Sequence, residues 1–395
     1  MNRKRSSVPS GNSLSRQSKS SFFTTGGIDI PFFVLVILLL TIGLVMMFSA
    51  SYAYAYYNTK THDSLYYIKR QAFFAVLGVA AMMFVSKVNY NKIRKFTFIV
   101  AAAALVCLLV VFAFPKVNGT HRWINLGFTT FQPSEIAKFA LILLLAHLMA
   151  KNPQKMTSAK YVVFLAAVIL FVTLLVAAEN HISGAVLIIL IGFSMLFIGG
   201  LGGKHTWAVI LTVIGLAAIL VILLVIAYTM DVSFVKDRIV AWLDKSYEPT
   251  GGRWQINQSL YAIGSGGFLG SGLGQSMQKY LYVSEPQNDF VFAIVCEELG
   301  FVGAAVIMVL FALLVYRGCV IAMKAQNRFG AYITMGICFQ IGIQTVLNIA
   351  VVTDTIPNTG ISLPFFSYGG TSLMMLLAEM GIVLSVSRTA DIDKN

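Results

Sequence analysis

One aspartate stands directly before a long apolar run and is the strongest candidate for acid–base chemistry in the sequence. Asp289 ends the polar stretch 284–289 and is the last acid before that run. If the run is a helix, the positive end of its dipole favours the ionised carboxylate, which suits a general base. The alternative is that Asp289 only caps the helix, as aspartate often does. The two roles are compatible.

Two further carboxylates follow within the same run. Glu297 and Glu298 lie eight and nine residues after Asp289, which places them roughly 12–14 Å deeper along a helix. Carboxylates at that depth are costly unless they are paired or face a wet cavity. Adjacent positions point to different sides of a helix, so we expect them to have different partners. A structural pair with a buried cation and a catalytic role both remain open.

A second candidate group begins at a proline. Pro133 can open a helix without losing a needed donor, and Glu135 and Lys138 are three residues apart, so they can meet on one face. Their depth just inside the membrane surface suits binding of an anionic lipid headgroup. The alternative is a self-contained ion pair that fixes the helix. Glu179 and His181 lie in a short polar step between two apolar runs, where a lone histidine is more often a hydrogen-bonding structural residue than a ligand.

The glycine-rich run 264–274 does not predict a nucleotide site. It lacks the G-x-G-x-x-G spacing, a preceding strand and a P-loop lysine. We expect a flexible loop along the membrane surface, with Phe268 and Leu269 dipping into lipid. The four cysteines form no C-x-x-C pair, so they are expected to be buried thiols.

Ten apolar runs must position these residues. The chain has 395 residues, of which 57% are hydrophobic and 11% charged, against about a quarter charged in soluble proteins. A bilayer-spanning helix needs about 20 mostly apolar residues. Such runs lie at 28–51, 69–86, 96–114, 133–150, 160–178, 180–199, 205–228, 290–316, 331–353 and 367–387. The sequence therefore predicts an all-α polytopic membrane protein of about ten transmembrane helices, forming one domain over 28–388.

The distribution of lysine and arginine predicts the orientation. With the N-terminus inside, basic residues concentrate in the inner segments, and the long loop 229–289 between helices seven and eight lies outside. That loop contains six acids, whereas the inner loops contain none between Lys87 and Arg328. Residues 1–27, basic and free of acids, are predicted to be a disordered cytoplasmic tail, and 389–395 a short second one. The net charge of +13 is spread around the spans, so no nucleic acid is expected.

Several motifs stand in order along this ten-helix plan. They are Arg122-Trp123-Ile124, Gln132-Pro133-Ser134-Glu135 with Lys138, Asn288-Asp289-Phe290 with Glu297-Glu298, and the run 357–370 with Ser367 and Tyr368. Together they resemble the SEDS family, which includes FtsW, RodA and SpoVE, over about 28–388. The resemblance implies a peptidoglycan glycosyltransferase that polymerises lipid II on the outer face of the bacterial cytoplasmic membrane.

The resemblance also implies roles and partners. Asp289 matches the family's base, while Glu297, Glu298, Ser367 and Tyr368 match supporting positions. The expected protein partners are a class B penicillin-binding protein, which is a transpeptidase, and other division or elongation proteins. Many members have His-Thr before the aspartate and a Pro-Asp-Leu-Gly-Thr-type motif near 180–184, and this chain has neither. Residues 348–353 and the basic tail look more like the division and sporulation branch than the elongation branch.

The implied reaction joins C1 of one lipid-pyrophosphate sugar to a hydroxyl of another. Inversion in one step needs one base and no carboxylate nucleophile, and positive charge at the departing pyrophosphate. We predict Arg122 and Lys138, beside Glu135, as the pyrophosphate-binding cations, with Lys279 or Arg253 as additions. A divalent cation, Mg²⁺ or Mn²⁺, could share that task, although no ligand cluster predicts one.

Two other functions are compatible with the sequence. A transporter that flips the lipid precursor needs charged groups along a path through the bilayer. That path could use Glu135, Lys138, Glu179, Glu297, Glu298 and Glu379. A scaffold without activity is the third function. The concentration of acids outside, with Asp289 at the surface, favours the enzyme.

Overall fold

Helices make up most of the structure, as the apolar runs predict. The computed structural model describes residues 26–59, 62–115, 121–125, 127, 129–200, 233–245 and 253–390, with the backbone alone for 233–237. Within these residues, nine helical segments are long and apolar enough to cross a membrane. The predicted seventh span, 205–228, lies outside the described residues. The prediction of a polytopic, nearly all-helical membrane protein is confirmed.

The helices follow the predicted order. The membrane-length segments are α1 (Ile30–Asn58), α2 (Tyr66–Lys87), α3 (Tyr90–Ile93) continued by α4 (Thr97–Val110), α5 (Pro133–Lys151), α6 (Ala159–Ala178), α7 (Ile182–Gly200), α10 (Val291–Met323), α11 (Arg328–Val352) and α12 (Gly370–Ser387). Two shorter helices, α8 (Ser233–Leu243) and α9 (Trp254–Gly266), lie between α7 and α10. A small antiparallel hairpin pairs β1 (Ile124–Asn125) with β2 (Thr130–Phe131).

Burial separates central from peripheral helices. More than half of the residues in the apolar windows of α5, α7, α11 and α12 are buried, against fewer than a third in α2, α4 and α10. The first set therefore forms the centre of the bundle, and the second presents apolar side chains outward, where lipid would lie. Lys138 on α5 and Glu379 on α12 are consequently buried in the protein interior.

The end of α1 differs from the prediction. It ends at Asn58 and not near residue 51, because its tyrosine-rich last turns pack on other elements. The ring of Tyr54 lies 6.1 Å from that of Tyr67 on α2, and its hydroxyl lies 3.5 Å from Glu285. These contacts support a helix beyond the apolar window. The segment 229–289, predicted as a loop, also differs from the expectation because it contains the helices α8 and α9.

Asp29 joins the start of α1 to the later parts of α10 and α12. Asp29 caps α1 by accepting a hydrogen bond from the Phe32 N–H at 2.9 Å. The same carboxylate pairs with Arg317 of α10 at 2.7 Å, and the Asp29 N–H donates to Ser387 of α12 at 3.1 Å. One aspartate therefore fixes the start of α1 against two other helices.

The glycine-rich run is an ordered insertion against α10, which corrects the expectation of a flexible loop. Gly300 has φ 66° and breaks α10, so carbonyls and N–H groups on both sides lose their helical partners. The N–H groups of Ser271 and Gly272 donate to the carbonyls of Glu297 and Glu298 at 2.9 and 3.0 Å. The N–H groups of residues 301 and 302 donate to the carbonyls of residues 267 and 268. The run thus supplies the backbone partners that lipid cannot. Phe268 and Leu269 are exposed, and their insertion into lipid stays a prediction.

We predict that Gly300→Ala lowers the free energy of unfolding by about 1–3 kcal/mol or more. A Cβ atom at residue 300 would lie 2.6–2.7 Å from the backbone of residues 268 and 269, at a φ that alanine disfavours. Thermal unfolding of the purified protein in detergent measures the effect. Gly264→Ala is the matched control, because its Cβ meets nothing within 4 Å. Equal melting temperatures for the two variants would contradict the role of the break.

Candidate active site

A cavity of about 690 Å³ lies between α2, α5, α7, α8, α11 and α12. This volume falls within the usual range for small-molecule sites, about 300–1,000 Å³. The charged residues in its lining are Arg70, Arg122, Glu135, Lys138, Arg238, Glu285, Asp289 and Glu379. The structure therefore brings Asp289 together with both predicted segments, around Arg122 and around Lys138.

The backbone before α10 holds Asp289 in the cavity wall. The Asp289 carbonyl accepts a hydrogen bond from Asn348 Nδ2 at 2.8 Å. Ser367 Oγ donates to the carbonyl of Asn288 at 2.5 Å. The Tyr368 N–H donates to the carbonyl of Gln287 at 2.8 Å. Ser367 and Tyr368 thus lie in supporting positions. The carboxylate itself points toward Gly360, where an added Cβ would lie 3.0 Å from Oδ2.

The capping alternative for Asp289 is not seen. In the described chain, the N-cap of α10 is Phe290, and no side chain caps that helix. Burial raises the pKa of Asp289 to about 6; Arg238 opposes this rise, Glu285 adds to it, and Arg122 opposes it. A carboxylate with its pKa near neutrality is suited to accept a proton from a hydroxyl.

Two arginines share the wall around Asp289. Arg122 precedes β1 and donates to the carbonyl of Asn180, in the turn between α6 and α7. Arg238 of α8 donates from Nη1 to the carbonyl of Asn358 at 2.7 Å. Burial lowers the pKa of Arg238 to about 10 and also lowers that of Arg122, yet both stay cationic at neutral pH. Two planar donors for phosphate oxygens therefore lie beside the aspartate.

The turn between α6 and α7 contributes to this electrostatic environment. Burial raises the pKa of Glu179 to about 8, although Arg122 opposes the rise. Burial lowers the pKa of His181 to about 3, so its ring is neutral, and it lies 3.4 Å from Gln132 Nε2. His181 thus contacts a neighbouring side chain and lines the cavity. Both carboxylate oxygens of Glu179 lack a hydrogen-bond partner among the described residues, and Glu179 acts electrostatically on Arg122.

Glu135 and Lys138 form the predicted pair. Lys138 Nζ lies 2.9 Å from Glu135 Oε1 across one turn of α5 and 3.4 Å from Gln344 Oε1 of α11. The ammonium is buried and lines the cavity. Its positive charge is therefore balanced within the protein, and a contact with pyrophosphate stays a prediction.

Lys279 lies outside the cavity, which corrects its expected place at the pyrophosphate. Its ammonium pairs with Glu298 at 2.9 Å and donates to Ser49 Oγ at 3.2 Å and to the carbonyl of Gly274 at 2.6 Å. Removing either partner of such a buried pair would leave an uncompensated charge. Lys279 therefore anchors the inserted run against α10 and α1.

Glu297 shares Ser276 with Glu298, whose Oε1 accepts from the Ser276 N–H at 3.3 Å, but its other partners differ. Its carboxylate accepts hydrogen bonds from Ser276 Oγ at 2.5 Å and from the Met277 N–H at 2.8 Å. Neither Glu297 nor Glu298 lines the cavity. Of the alternatives left open for the two glutamates, the structure supports a structural pair with a buried cation for Glu298 and a hydrogen-bonded anchor for Glu297.

Arg253 also lies away from the cavity, against the expectation. Its guanidinium pairs with Asp354 at 2.5 Å and donates to the carbonyl of Ala241 at 2.5 Å. It is buried, and these contacts join the end of α8 to the turn after α11. Arg253 therefore fixes the helix that carries Arg238, and does not itself reach the site.

Residues 30–392 match the FtsW/RodA/SpoVE family of cell cycle proteins. The chain belongs to this family. Stage V sporulation protein E of Bacillus subtilis is 40% identical over 91% of this chain and 97% of its own length. A probable peptidoglycan glycosyltransferase FtsW of Geobacter sulfurreducens is 36% identical over 91% of this chain and 95% of its own.

Solved structures share the fold. The rod shape determining protein RodA of Thermus thermophilus has a TM-score of 0.65 and 25% identity, over 93% of this chain and 99% of that one. A chain of a peptidoglycan synthase complex has a TM-score of 0.72 and 24% identity, with the same coverage. The predicted SEDS membership is confirmed, and the expected activity is the one named for the Geobacter relative.

A divalent cation was considered as an aid at the pyrophosphate, and the part of the chain that the structure describes presents no dedicated ligand set for it. Among the described residues, no group of three or more His, Cys, Asp or Glu side chains is arranged to hold a metal ion. Beside Asp289, Glu285 is a second carboxylate, and two arginines occupy the wall. The mechanism below therefore uses only the side chains of the protein.

Two residues of the site, Arg238 and Asn348, were not predicted from the sequence. The local sequence pattern does not distinguish Arg238 from Arg253. The two differ only once α8 is packed over the cavity, where Arg238 lines the wall. Asn348 carried a usable signal: an amide within an apolar span is costly unless it has partners. It donates to the carbonyls of Asp289 and Ile361 at 2.8 and 2.6 Å.

We predict that Arg238→Gln moves the acid limb of the pH–rate profile to higher pH. Activity that needs ionised Asp289 falls as pH drops through its pKa, about 6. Removing the arginine charge removes an interaction that lowers this pKa, so the loss begins at higher pH. The measurement is kcat/KM against pH. Arg328→Gln, far from the cavity at the start of α11, is the control. An unmoved or lowered limb in Arg238→Gln would contradict this electrostatic arrangement.

Proposed function

We propose that the chain polymerises lipid II, with Asp289 as the general base and Arg122 and Arg238 as the groups that hold the leaving pyrophosphate. The observation that carries the proposal is the position of Asp289, a carboxylate with a raised pKa, beside two arginines in one cavity. The relatives named as peptidoglycan glycosyltransferases support the reaction class.

The reaction is a single displacement. Asp289 accepts the proton of the acceptor sugar hydroxyl as its oxygen forms a bond to C1 of the donor sugar. The bond between C1 and the pyrophosphate oxygen breaks, and the pyrophosphate leaves with the electron pair. Arg122 and Arg238 stabilise the negative charge that develops there. Inversion at C1 requires one base and no carboxylate nucleophile, so Asp289 alone suffices for this step.

Asp289→Asn is expected to lower glycan polymerisation by about 10²–10⁴ while folding stays normal. The amide has nearly the same size, and the backbone contacts of residue 289 do not involve the side chain. Purified protein is incubated with lipid II, and the products are separated on a gel.

Asp63→Asn is the matched control, because this carboxylate forms an exposed pair with Lys69 at 2.9 Å outside the cavity. It should polymerise at the normal rate. Normal synthesis by well-folded Asp289→Asn would rule out the base assignment. The same assay separates the enzyme from a scaffold, which would form no product with any variant.

The flippase is the weaker alternative. Its charged path through the bilayer needs the acids in one continuous route. Glu135, Lys138 and Glu379 line the cavity, but Glu297 and Glu298 are bound within the separate cluster around Lys279. The structure described here therefore supports a pocket and not a path along all six residues.

We also place the chain in the division or sporulation branch, with a class B penicillin-binding protein as its partner. The 40% identity to stage V sporulation protein E and the 36% identity to FtsW support the branch. Support for the partner comes from the motif resemblance and from a solved relative of the same fold in a complex that coordinates polymerization and crosslinking.

The site is proposed to face outward, with both termini in the cytoplasm. Single cysteines test this in a chain whose four native cysteines are replaced. Lys245→Cys, exposed after α8, should react with an impermeant thiol reagent in intact spheroplasts, since it lies on the Asp289 side. Gln326→Cys, exposed between α10 and α11, should react only after lysis. The reverse pattern would invert the topology.

A further inference from the structure

The turn after α11 has an aspartate where its backbone favours glycine. α11 ends at Val352, and Asp354 has φ 58°. The Asp354 N–H donates to the carbonyl of Val351 at 3.0 Å, and the N–H of Thr355 donates to that of Ala350 at 2.9 Å. These two bonds form a Schellman motif, whose left-handed residue is usually glycine. The backbone of this turn therefore does not need a side chain at residue 354.

The charge of this aspartate is also unfavourable at the end of a helix. The C-terminus is the negative end of the helix dipole, which favours cations over carboxylates. The Asp354 side chain is only 9% exposed, and an unpaired charge at such a place is costly. A carboxylate that opposes both the backbone conformation and the helix dipole indicates a role for its contacts.

The contacts of Asp354 attach α8 to this turn. Asp354 Oδ2 pairs with Arg253 at 2.5 Å, and Arg253 Nη1 donates to the carbonyl of Ala241, in the last turn of α8. From the same turn of α8, the indole N–H of Trp242 donates to the Asp354 carbonyl at 3.1 Å. The side chain and the backbone of Asp354 therefore both hold the C-terminal end of α8.

Arg238 lies one helical turn before these contacts. Arg238 and Trp242 are four residues apart and share one face of α8. Arg238 Nη1 donates to the Asn358 carbonyl at 2.7 Å, and its side chain lines the cavity together with Asp289. The position of the Arg238 guanidinium relative to Asp289 thus depends on where α8 rests on the turn after α11.

We propose that Asp354 is a positioning residue, which holds α8 through Arg253 and Trp242 so that Arg238 stays beside Asp289. This inference rests on the proposed function, in which Asp289 is the base, and deepens it. Asp354 is not among the described residues that line the cavity. It therefore acts through α8 and not by contact with the substrate.

The acid limb of the pH–rate profile reports the position of Arg238. The charged groups that act on Asp289 are Arg238, Glu285 and Arg122. Asp354→Gly should move the limb to higher pH, by no more than Arg238→Gln does, because a displaced Arg238 lowers the pKa of Asp289 less. The change of charge alone predicts the opposite sign, since the loss of a negative charge would lower that pKa.

A double-variant cycle separates positioning from an independent effect. If Asp354 acts through Arg238, Asp354→Gly with Arg238→Gln should have the same acid limb as Arg238→Gln alone. A further shift in the double variant would contradict the proposal, and so would an unmoved or lowered limb in Asp354→Gly. Asp63→Asn, which changes an exposed aspartate outside the cavity, should leave the limb unmoved.

A second variant keeps the test valid if Asp354→Gly alone folds poorly. Asp354→Gly with Arg253→Leu removes both charges of the buried pair, so neither is left without its partner, while glycine suits φ 58°. This variant should also move the limb to higher pH. Gly300→Ala destabilises the protein elsewhere and should leave the limb unmoved. An equal shift in Gly300→Ala would attribute the effect to general loosening and overturn the proposal.

Infrared spectroscopy follows the titration of Asp289 without turnover. The carboxyl band of this residue is the one that Asp289→Asn removes. It should titrate at higher pH in Asp354→Gly than in the parent protein, and an unchanged titration would overturn the inference. The expected shift in a chain that forms no polymer would refute the proposed function and leave this positioning role standing.

Discussion

The cost of placing charge at membrane depth governs the whole arrangement. A lone ion in an apolar span costs at least a few kcal/mol, and two buried lysines are accordingly paired with glutamates. Lys279 and Glu298 neutralise each other at 2.9 Å beneath the inserted glycine-rich run. Lys138 is balanced by Glu135. Around Asp289, the cavity wall contains Arg70, Arg122 and Arg238.

Backbone groups obey the same constraint. The break at Gly300 exposes carbonyls and N–H groups that lipid cannot satisfy, and the glycine-rich run satisfies them. The segment before α10 is held in turn by Asn348, Ser367 and Tyr368. The position of the proposed base therefore depends on hydrogen bonds from α11 and from the turn before α12, and a rigid support of this kind suits a catalytic group.

The helices, the Glu135–Lys138 pair and the candidate base were accessible from the sequence because each depends on local spacing. Hydropathy locates a span, and two residues three apart meet on any helix. The partners of Lys279 and Arg253 were not accessible, because both depend on how distant segments fold back. In a one-dimensional pattern, Arg238 and Arg253 are equivalent outer arginines; in the structure, one lines the cavity and the other pairs with Asp354. Gly300 likewise resembles any helical glycine until the inserted run is placed beside it.

The position of Asp289 beside the arginines of one cavity is the central claim, and a structure with bound substrate tests it most directly. Cryo-electron microscopy of Asp289→Asn protein with lipid II would show where each chemical group lies. We predict pyrophosphate oxygens within about 4 Å of the guanidinium groups of Arg122 and Arg238, with a sugar hydroxyl within hydrogen-bond reach of residue 289. Pyrophosphate density beside Lys138 and Glu379, away from the arginines, would contradict this arrangement.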